Sequence, residues 1–174
     1  KASKTHFDKL SSYTGNNAPV KVKKTYDSLS LPTEFKSFLQ VDSSNPEYWN
    51  ALSYLRKRGI TREDILRYNI GYCDEGLYSN RIIIPSYDSF CESGQYSKMV
   101  IIPSYDKDGV LNFFTGRSYY RDATMKHKNP KVSKDIIGFE LYIDWKQPIT
   151  VVEGVFDALA VKRNAIPLFG KIVL

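Results

Sequence analysis

Glu153 and Asp157 stand four residues apart in "ITVVEGVFDALAVKRNAIPLFGK", residues 149–171, directly after an apolar β-branched run. Two carboxylates side by side repel unless a proton or a cation neutralises them, so a hard divalent ion such as Mg²⁺ is their natural third party. In the other reading, Asp157 complements a helix dipole while Glu153 caps a turn. The residues alone leave both open. The flanking pattern predicts the elements that must position the pair. "ITVV" reads as a short buried-type strand, and Gly154 as a tight turn. "VFDALAVKRN" reads as a helix that packs through Val155, Leu159 and Val161, and "AIPLFG", ending at Gly170, as a second strand. Such a βαβ unit has parallel strands and a right-handed crossover. Ligands gather beyond the C-terminal strand ends, where Glu153 lies, and Asp157 in the first helical turn can face the same crevice.

A second chemistry is basic. The chain has 25 Lys and Arg against 19 Asp and Glu, a formal net charge of +6. Most of the excess falls in two places. Residues 1–24 hold six lysines against Asp8, and residues 117–135 hold Arg117, Arg121, Lys126, Lys128, Lys131 and Lys134 against Asp122 and Asp135. Clustered cations either contact polyanion phosphates or form a solvated face. Tyr119 and Tyr120 read as core filling or as stacking faces for bases. No GxGxxG or GxxxxGK[ST] occurs and there is no Ser/His/Asp elbow, which removes the Rossmann, P-loop and serine-hydrolase readings. Cys73 and Cys91 are too few for a disulfide framework and lack zinc-site spacing, so zinc is not expected within the chain and a reducing, cytoplasmic setting is. No run reaches the length of a membrane span, and no signal-peptide pattern is present.

Other elements frame these sites. Residues 1–28, rich in Ser, Lys and Asn, read as a basic flexible arm or linker. Pro32 reads as the start of a short helical turn over "PTEFKSFL". "NPEYWNALSYLRKRG" predicts a helix buried through Tyr48, Ala51, Leu52 and Leu55 and ended by Gly59. "TREDILRYNI" begins with a near capping box, Thr61 and Asp64, and turns Ile65 and Leu66 inward. The pair reads as a packing unit in preference to a helix-turn-helix DNA reader, because the second helix is short and carries few base-reading side chains. From Gly71 the pattern is strands, with "DKDG" predicting a hairpin. Ile83–Asp88 recurs as Ile101–Asp106, an even offset that preserves strand alternation and reads as one duplicated hairpin.

The ordered series "RIIIPSYD", "DKDGVLNFFTGRS", "KHKNP", "IIGFE", "VVEGVFDALAV" and "PLFG" resembles the RNA-polymerase domain of bacterial-type, DnaG-like DNA primases, phage members especially. The resemblance implies a mixed α+β N-terminal subdomain over residues 29–147, with helices at 33–68 and strands at 71–147. The start of a Toprim fold follows at 148–174. By position, Glu153 resembles the Toprim glutamate and Asp157 the acid on the next helix. Arg117 is similar to the family's groove arginine, Lys126 and Asn129 to its Lys-and-Asn segment, and Lys134 to a later basic position, with Lys128 in the same basic run. Arg81 resembles the arginine before the first apolar strand, and because of the duplication Lys98 competes for that role.

The resemblance further implies primer synthesis from ribonucleoside triphosphates on single-stranded DNA, Mg²⁺ or Mn²⁺ as cofactor, and a replicative helicase as partner, separate or fused. The family's Toprim fold continues with an Asp-x-Asp strand and another acid. This chain stops before both, so the chain alone is expected to be inactive. Gly170-Lys171 stands where the family has Gly-Thr. Two other readings remain: a Toprim nuclease or topoisomerase-like protein, and a non-catalytic single-stranded nucleic-acid-binding module.

Overall fold

The computed structural model describes residues 29–74 and 96–171. Five strands pair antiparallel in the order β1-β2-β3-β4-β5. They are β1 Phe35–Ser37, β2 Gly71–Cys73, β3 Met99–Tyr105, β4 Leu111–Ser118 and β5 His127–Lys128. Helices α1 Pro46–Lys57 and α2 Arg62–Arg67 connect β1 to β2. After β5 the chain passes a 3₁₀ turn at Glu140–Tyr142. It then forms a parallel pair, β6 Thr150–Val152 and β7 Ala165–Pro167, joined by α3 Val155–Val161. The fold is mixed α/β, with an antiparallel sheet and a βαβ unit, as the sequence pattern predicts.

Local chemistry accounts for most boundaries. Asn45 caps α1 by accepting the Glu47 N–H at 2.9 Å, Pro46 presets the first turn, and Tyr48, Ala51, Leu52 and Leu55 form its buried stripe. Gly59 ends the run with φ +73°. Thr61 and Asp64 complete the capping box: Thr61 Oγ1 accepts the Asp64 N–H, and the Thr61 N–H donates to Asp64 Oδ2 at 2.8 Å. In the "DKDG" hairpin, Asp106 Oδ1 accepts the N–H groups of Asp108 and Val110, each at 2.9 Å, and Gly109 takes φ +79°.

Three expectations are corrected. The segment after Pro32 is not helical, because Phe35–Ser37 pairs with β2 instead. Gly71 permits this: a Cβ there would stand 2.4 Å from the Lys36 carbonyl oxygen and from the Phe35 ring. Leu66 is exposed while Ile65 is buried, since a helix as short as α2 has one inward position per turn. β6 is not buried on both faces; Val151 is exposed, with β7 its one pairing partner among the described residues. Arg81 and the first copy of the repeat lie outside the described residues. The second copy forms β3 and the start of its turn.

The βαβ unit shares one core with the sheet and α1. Phe169, just past β7, packs at a tilt on Phe113 of β4 with centroids 4.6 Å apart, and edge-on against Phe139 at 6.2 Å. Phe139 itself has φ +59° and donates its N–H to the buried Ser104 Oγ at 2.9 Å. A Cβ on Gly138 would sit 2.4 Å from the Pro167 carbonyl oxygen, so this stretch lies directly against β7. An ion pair between Lys162 and Asp64 fastens the end of α3 to α2. Among the described residues no helix is long and apolar enough to cross a membrane.

Candidate functional site

The outer face of α1 and the end of β4, with the loop after it, enclose a cleft of about 880 Å³. Lys57 at the end of α1 and Arg58 just after it line one wall, and Arg117, Arg121 and Lys126 the other; Asp122 is the one acid among its lining residues. None of these five cations is in an ion pair among the described residues. Arg58 lies against two aromatic rings, its guanidinium carbon 4.9 Å from the Tyr54 centroid and 4.5 Å from that of Phe156. Because Phe156 precedes Asp157 in α3, Arg58 joins the cleft wall to the helix that carries one carboxylate. Arg117 is half-buried, and its Nε lacks a hydrogen-bond partner, an unmet donor that an anionic oxygen would satisfy.

Beside the cleft, β5 places His127 opposite Arg117. Thr115 Oγ1 donates to Asn129 Oδ1 at 2.7 Å, and His127 Nε2 lies 3.1 Å from Thr115 Oγ1 and 2.9 Å from Asn129 Oδ1. Partial burial, then the Arg117 guanidinium, and in smaller part Lys134, hold the His127 imidazole below its ordinary range against the opposing bond to Asn129. Asn129 is thus a positioning residue of this triad. Lys128, one residue on, reaches the opposite side of the strand, with Nζ 5.0 Å from the Tyr96 ring. Lys134 comes near the βαβ unit: its Nζ is 3.7 Å from where a Cβ on Gly170 would stand, and Gly170 has φ +76°.

Lys98 is placed differently from the cleft cations. Its Nζ lies 3.6 Å from Glu47 Oε1 and 5.3 Å from the Tyr120 centroid. Tyr120 donates its hydroxyl to Glu47 Oε1 at 2.9 Å and accepts from Asn50 Nδ2 at 3.0 Å. Burial works to raise the Glu47 carboxyl, but the Tyr119 and Tyr120 hydroxyls and the Lys98 charge bring it below its ordinary range. This network ties α1 to the segment after β4 and gives Lys98 a charged neighbour. Both tyrosines line the cleft, Tyr119 packed against the core and Tyr120 exposed.

Glu153 follows the C-terminal end of β6, and Asp157 sits in the first turn of α3 with Gly154 as N-cap. Both are exposed. A Cβ on Gly154 would stand 2.8 Å from Asp157 Oδ2, so the Asp157 carboxylate folds back over the turn that Glu153 opens. No group of three or more His, Cys, Asp or Glu side chains converges among the described residues. The pair alone thus supplies two carboxylates. That fits Mg²⁺, which commonly takes one or two protein carboxylates and completes its shell with water and substrate phosphates.

Arg81 lies outside the described residues. Arg117 and Lys126 share the cleft, Asn129 and Lys134 stand beside it, and Lys98 and Lys128 are engaged by aromatic rings. Lys57, Arg58 and His127 were not singled out from sequence. Cations in the last turn of a helix read as complements of its dipole. For His127, its position between Lys126 and Asn129 in "KHKNP" was the available signal.

No protein-family model and no curated protein matches the chain. Among solved structures, the fold is similar to the DnaG primase catalytic domain bound to single-stranded DNA, at 25% identity and TM-score 0.60, covering 73% of this chain and 48% of that one. It is also similar to the DnaG catalytic core, at 26% identity and TM-score 0.58, with 73% and 49% covered. The Escherichia coli primase catalytic core matches at 23% identity and TM-score 0.56, with 74% and 50% covered. The chain spans about half the length of these structures, and its mixed α/β fold is that of primase catalytic domains.

Proposed function

We propose that the chain is part of a DNA primase: an N-terminal subdomain at residues 29–147 that holds nucleic acid, the opening of a Toprim subdomain from residue 148, and a basic arm at residues 1–28. The observation that carries this reading is the five-cation cleft joined through Arg58 and Phe156 to the helix bearing Asp157, on a fold similar to primase catalytic domains. That one such domain is bound to single-stranded DNA supports the template as the cleft's ligand.

The reaction joins ribonucleotides. A 3′-hydroxyl oxygen forms a bond to the α-phosphorus of a ribonucleoside triphosphate while the bond to pyrophosphate breaks, and the hydroxyl proton is lost. Mg²⁺ or Mn²⁺, when bound, would supply charge neutralisation for the triphosphate and for the leaving pyrophosphate. Glu153 and Asp157 would hold the ion. Arg58, Arg117, Arg121 and Lys126 hold phosphates, and Tyr120 offers a stacking face for a base. The Thr115–His127–Asn129 triad keeps the Arg117 strand in register. A replicative helicase delivers the template.

In the complete protein, Glu153→Gln is expected to abolish primer synthesis and to leave single-stranded DNA affinity within about twofold. Normal primer synthesis by that variant would remove the carboxylate pair from the site.

A further inference from the structure

The face of α1 that borders the cleft carries Asn50, Tyr54 and Lys57. A different face, Trp49, Leu52 and Arg56, lines a second concavity of about 430 Å³ shared with α2 and the segment after β1. Its floor is the buried Phe38, Tyr48, Leu52 and Ile65, and its rim leaves large apolar side chains in water: Leu39 is 58% exposed, Val41 71%, Trp49 47% and Leu66 43%. Apolar side chains gathered at one concave site mark an interaction surface, whereas single ones scattered over a surface do not. The indole is held in place, since Trp49 Nε1 donates to the Ser43 carbonyl at 3.0 Å and its ring meets Tyr48 edge-on at 5.1 Å. The groove is thus preformed.

Its charge identifies the occupant. The charged residues lining it are Arg56 and Arg62, and no acid lines it. Among the described residues neither arginine side chain makes an ion pair or hydrogen bond; Arg62 merely lies in the field of the neighbouring Glu63. A fixed aromatic anchor between two uncommitted guanidinium groups complements large apolar side chains next to carboxylates. We infer that this groove docks a short acidic, apolar peptide segment of a partner protein. The site is separate from the nucleic-acid cleft and does not rest on the primase reading.

The test uses the complete protein. Random peptides displayed on phage are selected against it, and enriched sequences are made as fluorescein-labelled peptides for anisotropy titration. Enrichment of sequences that combine at least two large apolar residues with Asp or Glu is expected. Trp49→Ala, and separately the surface double variant Arg56→Glu/Arg62→Glu, should each weaken their binding by about tenfold or more. Exchanging the peptide's acids for lysine should restore binding to the double variant. Circular dichroism confirms that both variants remain folded. The proposal falls if no sequence is enriched, if the enriched ones lack acids, or if binding ignores both variants. Absence of binding because the protein's own chain covers the groove overturns it too, as does sedimentation showing a dimer that Trp49→Ala dissolves, which would assign the groove to a second copy.

Discussion

The salt dependence of single-stranded DNA binding can be worked out from the cleft before it is measured. Each phosphate neutralised by a cation releases condensed counterion, and for single strands log Kobs falls with log salt by about 0.7 per phosphate contacted. Five cations line the cleft. If each meets one phosphate, they contribute a slope of about −3.5, equivalent to a roughly 130-fold loss of affinity between 50 and 200 mM salt. Arg117→Ala/Lys126→Ala removes two contacts, so the slope becomes shallower by about 1.4, and that share of the loss falls to roughly 20-fold. The assay is fluorescence anisotropy with a labelled oligothymidine over a salt series. It is read as the difference between wild type and variant, so that contacts elsewhere in the protein cancel. A parallel version lacking residues 1–24 isolates the arm, which holds six lysines of its own. An unchanged slope in the double variant, with the full change appearing on removal of the arm, would refute the cleft as the binding surface. Arg58→Ala adds a finer check, because loss of its contacts with Tyr54 and Phe156 should shift affinity without altering the slope by more than one contact's worth.

Two further outcomes follow from single positions. For His127 the folded-state value lies below the ordinary one near pH 6.5, so the unfolded chain takes the proton more readily. The stability that neutral His127 contributes is present above that pH and is lost as the pH falls below it, while DNA phosphates favour the imidazolium and strengthen binding over the same window. His127→Gln should flatten both profiles in chemical denaturation and anisotropy, and persistence of either one would show that another group titrates. Gly71→Ala and Gly154→Ala should separate stability from activity. At Gly71 the new methyl meets backbone at 2.4 Å and should cost about 3 kcal/mol or more. At Gly154 it meets the movable Asp157 carboxylate at 2.8 Å, so urea unfolding should register about 1 kcal/mol while primer synthesis falls at least about tenfold.

What sequence could foretell here is local. The capping box at Thr61, the Asp-Gly turn at Gly109, the stop at Gly59 and the βαβ arrangement around Gly154 each depend on residues within a few positions of one another. The strand at Phe35–Ser37 depends on Gly71, 36 positions from Phe35, and no window along the chain contains both. The site divides in the same way. Arg117, Lys126 and Asn129 form one run, and the family resemblance suggests the groove role proposed for them. Lys57 and Arg58 join them through the way α1 crosses the sheet, a consequence of the shared Leu55, Phe113 and Phe139 core. Lys98 adds a contact that no stretch of sequence shows, since Glu47 and Tyr120, distant along the chain, both lie beside its ammonium group.

The separation of charge is itself informative about the ligand. Had the cleft cations and the carboxylates evolved only to hold the fold, the least costly arrangement would pair them, since an exposed ion pair contributes up to about 1 kcal/mol and unpaired like charges repel. Instead, among the described residues, neither Glu153 nor Asp157 is in an ion pair, and neither are the five cations, although Arg58 rests on the residue next to Asp157. Opposite fields are held apart on one shared core. A bare polyanion complements only the cationic wall, and a free divalent cation only the carboxylates. A ligand that complements both carries phosphates and a divalent cation together. On the proposed reading that ligand is a metal-bound nucleoside triphosphate beside the template, and it explains why the fold rests Arg58 against the Tyr54 and Phe156 rings: cation–π contact holds the guanidinium without neutralising it, which a carboxylate partner could not do.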